Sequence, residues 1–127
     1  MTKKYHSLGS AKEGAEHWWQ QRVSAIAIVL LSLYVVSNFF GSVAFGSYDD
    51  AIEWLSSPFS ATLVILFIAA AFYHAALGLQ VVVEDYVHGE AKKIVLLLLS
   101  KFLCVTFAVL GILSVVKILF WSLLPHA

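Results

Sequence analysis

Three long apolar stretches separated by short polar ones set the organisation of this chain. Residues 23–45 are apolar apart from Ser24, Ser32, Ser37, Asn38 and Ser42, enough chain to cross about 30 Å of hydrocarbon as one helix. Residues 46–57 carry Asp49, Asp50 and Glu53 but no Lys or Arg, and read as a short acidic loop closed by Pro58, a helix-start signal. Residues 61–83 form the second stretch, and residues 84–93 a hydrophilic turn containing Gly89, Lys92 and Lys93. The third runs over residues 94–121, longer than a crossing needs, which predicts tilt or a projecting end. Lys101 and Lys117 stand near its two ends, where their stems can snorkel outward. Ahead of the first stretch, residues 1–16 read as a solvated polar arm, and residues 17–22 mix Trp18 and Trp19 with polar groups as a helix does in the headgroup layer. The pattern predicts an all-α integral membrane protein: one membrane domain over residues 1–127, an N-terminal arm over 1–21, and spans at about 23–45, 61–83 and 94–121.

Composition agrees, since 61% hydrophobic and 13% charged residues leave too little polar surface to coat a soluble globule. Eight basic and eight acidic residues cancel, so no nucleic-acid partner is implied. Cys104 is the lone cysteine and lies in an apolar run, which excludes an internal disulfide and a cysteine metal cluster within the chain. No signal or transit peptide is read at the N-terminus, which suits a bacterial inner (cytoplasmic) membrane protein. Lys12 and Arg22 precede the first span, Lys92 and Lys93 separate the second from the third, and the other two flanks have no Lys or Arg. The positive-inside rule then puts the N-terminus in the cytoplasm and the C-terminus in the periplasm. On that topology Arg22, Asp85, Tyr86 and His88 share the cytoplasmic boundary, with His126 on the far side.

His74 is the one ionisable group deep in an apolar stretch. Ala70 and Gly78 flank it at four residues either way, a stripe of small side chains that admits a close neighbour, either a helix or a flat cofactor. A histidine in hydrocarbon must be neutral and paired, and two readings stand side by side: a hydrogen bond to a neighbouring helix, or ligation of haem iron by the imidazole. His6, His17 and His88 sit at or beyond the cytoplasmic boundary and His126 at the other, so a second axial histidine has to come from a partner protein. At about 100° and roughly 1.5 Å per residue, Asp85 returns nearly to the azimuth of His74 some ~16 Å further along the helix. Asp85 and Tyr86 are ordinary helix-end residues, or else a proton source and a phenol donor for a quinone carbonyl. Arg22 is a topology anchor, or a partner for haem propionates or quinone. No phosphate-binding glycine loop, metal–cysteine spacing or nucleophile–base–acid set is present, so the chain is not an enzyme by itself.

These residues resemble the hydrophobic membrane anchor, the D subunit, of bacterial succinate dehydrogenase (Complex II). The likeness is carried by the H-x-x-x-G of His74 and Gly78, by Asp85-Tyr86 eleven and twelve residues beyond the histidine, and by HWWQQRVSAIA at residues 17–27. A Ser-x-x-His-Arg motif, usual at the start of that complex's cytochrome b subunit, is missing, which favours the anchor type. The resemblance implies that His74 supplies one axial ligand of haem b, the other coming from the cytochrome b subunit, and that Tyr86 hydrogen-bonds ubiquinone beside Asp85. It implies a weaker role for Arg22 in the haem or quinone region. It further implies an iron–sulfur subunit and a flavoprotein subunit docked on the cytoplasmic side, with the spans part of a multi-subunit helical bundle. A small structural or proton-relay subunit, with His74 and Asp85 as the relay and no haem, is the alternative.

Overall fold

The computed structural model describes residues 7–124, which fold as α1 (Ser7–Asn38), α2 (Tyr48–Ser56), α3 (Pro58–Tyr86) and α4 (Glu90–Leu123). His6 and His126 lie outside the described residues. α1, α3 and α4 are each long and apolar enough to cross a membrane, so this is an all-α membrane protein with three candidate transmembrane helices.

α1 is already helical at Ser7, where composition suggested a solvated arm. The segment holds good helix formers, and Gln20 donates to Glu16 one turn earlier at 3.5 Å. At its far end the helix widens into a six-residue π-helical turn, Phe39–Ala44. Just before it, Ser37 Oγ donates to the Leu33 carbonyl at 2.5 Å and the Asn38 amide to the Tyr34 carbonyl at 2.8 Å. Side chains competing for helix carbonyls in this way loosen the regular ladder. The turn closes at Gly46, where a Cβ would stand 2.5 Å from the Ser42 carbonyl oxygen.

The acidic segment expected as a loop contains a helix. Ser47 caps α2 by accepting from the Asp50 N–H at 3.2 Å, and its own N–H donates to the Asp50 carboxylate at 2.6 Å, a reciprocal capping box. Those bonds, the backbone one first and the Ser47 hydroxyl second, hold the Asp50 carboxyl below its ordinary pKa. Asp49, Asp50 and Glu53 face outward while Ile52, Trp54 and Leu55 are half-buried.

Pro58 occupies the first turn of α3, as its sequence position predicts. The helix then runs without interruption through Tyr86 and stops at Val87, whose backbone is extended. Only Val87, His88 and Gly89 separate it from α4, a tighter turn than the polar stretch 84–93 suggested. α3 lies between α1 and α4 and contacts both. A small core of Ala61, Val64 and Val115 is covered by Val35, Trp54, Leu55, Ile68 and Leu119, so α2 closes one end of the bundle. Gly111 lets α4 approach α3: a Cβ there would sit 3.3 Å from Ile68 Cδ1. Phe72 and Phe107 stack at 6.4 Å between the same two helices. Cys104 is a buried free thiol, whereas large apolar side chains such as Ile26, Leu33, Phe102 and Val105 stay exposed, ready for lipid or partner helices.

Candidate functional site

His74 is half-buried at the seam between α3 and α1, and both ring nitrogens meet α1 side chains. Nδ1 is 2.9 Å from Ser24 Oγ, and Nε2 is 3.5 Å from the Gln21 amide nitrogen. Ser24 Oγ also donates to the Gln21 carbonyl at 3.0 Å. The Gln21 amide passes 3.7 Å from the point where a Cβ on Gly78 would lie, so the small-residue stripe beside His74 receives a neighbouring helix. Beside it, the Tyr73 hydroxyl donates to Gln20 Oε1 at 3.0 Å, and at the other end of the seam Tyr34 and Ser60 share a hydrogen bond of 2.8 Å. This polar face was legible as spacing: His17, Gln21 and Ser24 stand at i, i+4 and i+7. Taken singly, each reads as an ordinary polar residue of α1; only the pairing with α3 makes them a set.

The pairs Gln20–Tyr73 and Tyr34–Ser60 fix an antiparallel register. Continued along both helices, it brings Asp85 level with about residue 10 of α1. Arg22 is therefore level with His74, about three turns from Asp85 and Tyr86, and does not share their boundary as the topology reading had it. The physical reason is that α1 continues as helix below its apolar stretch, so its polar N-terminal segment lies beside the lower half of α3. Arg22 also sits roughly 130° around α1 from the seam. It is exposed, with its guanidinium 5.4 Å from the Trp18 ring centroid, a cation–π contact. His17, placed at the boundary by sequence, shares the seam face of α1, and its Nε2 is buried with no partner among the described residues. Gln21 Oε1 is buried and unpartnered as well.

Asp85 and Tyr86 are exposed in the last turn of α3, Tyr86 at 78%. The unbroken helix sets Tyr86 about 18 Å along the axis from His74. Among the described residues no three His, Cys, Asp or Glu side chains converge as a metal centre. A cavity of about 1040 Å³ lies at the opposite end, lined by residues of α1, α2, α3 and α4 including Val35, Trp54, Ile68 and Trp121, and touches none of the predicted site residues.

Residues 2–113 match the family described as succinate dehydrogenase/fumarate reductase transmembrane subunit. The chain is 33% identical to the succinate dehydrogenase hydrophobic membrane anchor subunit of Rickettsia bellii (strain RML369-C), over 93% of this chain and 90% of that one. It is 31% identical to the succinate dehydrogenase membrane anchor subunit of Reclinomonas americana, over 83% and 89% of the two chains. The Paracoccus denitrificans hydrophobic membrane anchor subunit is 32% identical, over 68% of this chain and 66% of its own length.

Proposed function

Because the chain belongs to the succinate dehydrogenase/fumarate reductase transmembrane subunit family, in which it is a non-catalytic membrane anchor, we propose that it helps to hold haem b and ubiquinone and passes electrons from succinate oxidation to the quinone pool. The observation that carries this reading is the state of His74: a half-buried imidazole whose Nε2 meets only an amide at 3.5 Å, the outer edge of a hydrogen bond. Little is lost when that amide gives way to a stronger partner, and neutral imidazole is a good donor to haem iron. His74 fits an axial ligand on that chemistry.

The second ligand comes from another protein of the complex. Three spans in a row, with α3 between α1 and α4, give too few walls to bury a macrocycle within this chain. The partner of choice is the cytochrome b subunit, whose helices complete the walls. When bound, haem would supply one-electron redox chemistry at His74.

Tyr86 and Asp85 form this chain's part of the quinone site. The exposed phenol donates a hydrogen bond to a quinone carbonyl, and Asp85 hands on protons consumed as the quinone takes up two electrons. Arg22, level with His74 and turned away from the seam, would serve a haem propionate at the interface with the neighbouring protein, and its distance from Tyr86 argues against the quinone. The Lys and Arg distribution supports a multi-pass chain in the bacterial inner membrane, N-terminus in the cytoplasm and C-terminus in the periplasm, with iron–sulfur and flavoprotein subunits on the cytoplasmic face.

The hydrogen bond to Ser24 favours a second reading, in which His74 is an interhelix strut of a haem-free structural or proton-relay subunit. A visible spectrum of the purified membrane complex separates the two. The haem reading predicts a Soret band and sharp reduced bands in the complex and none in the chain expressed alone. A complex without haem sinks it, and haem held by the isolated chain sinks the two-subunit ligation.

A further inference from the structure

We infer that Ser24 fixes the tautomer of His74, keeping the proton on Nδ1 and leaving the Nε2 lone pair for iron; this rests on the haem-ligand role proposed above. Ser24 is 7% exposed, a hydroxyl buried in a span. It has one hydrogen to give, and that hydrogen goes to the Gln21 carbonyl at 3.0 Å. Toward Nδ1, 2.9 Å away, Oγ therefore presents lone pairs, and Nδ1 must bring the hydrogen. The other ring nitrogen gives the same answer independently. Nε2 faces the Gln21 amide nitrogen, a donor, and so presents its lone pair.

The opposite tautomer is poorer at both contacts. An Nε2–H would point at the amide hydrogens, and Nδ1 would have to draw the Ser24 hydrogen away from the Gln21 carbonyl. Turning the Gln21 amide over does not rescue it. That would put both amide hydrogens where Oε1 is now buried without a partner. At this depth no bulk water is at hand to repair the loss.

Two consequences follow for ligation. A hydrogen bond from Nδ1–H makes Nε2 a stronger donor, as outer partners of metal-bound histidines do, and it holds the ring at a set angle. Gln21 covers the lone pair that would hold iron. Ser24 is thus a positioning residue that acts through His74.

The test uses the assembled complex in membranes, with Ser24→Thr and Ser24→Val as a pair of equal shape that differ in the hydroxyl. Haem midpoint potential and the g-values of the low-spin signal are read for each. Thr should reproduce wild type. Val should weaken ligation about 10- to 100-fold, and the potential should rise by about 59 mV for each tenfold by which the ferric form suffers more than the ferrous. Loss of haem in Val with retention in Thr supports the same conclusion. Wild-type potential and g-values in Val, with haem still dependent on His74, overturn the role of Ser24 alone. Thr and Val shifting together assign the effect to packing and also overturn it. Should both branched variants block assembly, Ser24→Ala, which adds no bulk, decides by the same readings. If His74→Ala keeps the wild-type haem signal, the ligand reading falls and this inference with it.

Discussion

Replacing Tyr86 by Phe removes one hydroxyl from the last residue of α3 and changes little else. The ring is 78% exposed, and its hydroxyl has no partner among the described residues, so neither packing nor an internal hydrogen bond is lost. Assembly and stability should therefore match wild type. With about 18 Å of unbroken helix between Tyr86 and His74, the haem spectrum should also be unchanged. In the proposed quinone site, what disappears is a donor to a carbonyl that grows more negative as the quinone is reduced. Such a bond contributes on the order of 1 to 3 kcal/mol, or roughly five- to 150-fold in rate. The assay compares succinate-driven quinone reduction with reduction of a soluble artificial acceptor in the same membranes. Only the first should slow, because in the proposed assembly electron uptake from succinate belongs to a flavin-bearing partner. Wild-type quinone reduction by the variant would return Tyr86 to the interfacial aromatic belt.

Further outcomes follow from the same structure. The Tyr34–Ser60 hydrogen bond joins α1 to α3, and a cycle of Tyr34→Phe, Ser60→Ala and the double variant should give a coupling of about 0.6 kcal/mol, at most about 1.7, in detergent unfolding. Additive effects would show that this contact does not hold the helices together. Ser47→Ala should fray α2 at a local cost of about 1 kcal/mol, seen as faster amide exchange over residues 48–52. Because Asp50 has a lowered pKa in the fold, its support of α2 is complete above the ordinary carboxylate range. That support is lost as pH falls through the lowered value, so α2 exchange should rise in acid, and a flat pH response would discount the cap.

The spans were legible because three apolar runs of adequate length admit little else, and Pro58 marked the start of α3. α2 was hidden by its acidic composition, although Ser47 and Asp50 at capping-box spacing, followed by Ile52 and Leu55, announce it. The importance of His74 was readable from an ionisable ring in apolar surroundings. Its partners were not, since Ser24 and Gln21 belong to α1, and the register between two helices depends on side-chain packing that no single-helix periodicity encodes. The same gap explains Arg22: depth judged from where α1 turns apolar put it beside Asp85, whereas the paired helices set it level with His74.

In the proposed complex, His74 of α3 ligates a haem shared with a neighbouring protein. A reduced-minus-oxidised spectrum of the complex assembled with His74→Ala tests it most directly, with membrane insertion of the three spans checked alongside. The low-spin bands should be lost or altered while the spans stay inserted, because the imidazole contributes ligation and not apolar length. An unaltered low-spin spectrum in that variant would contradict it.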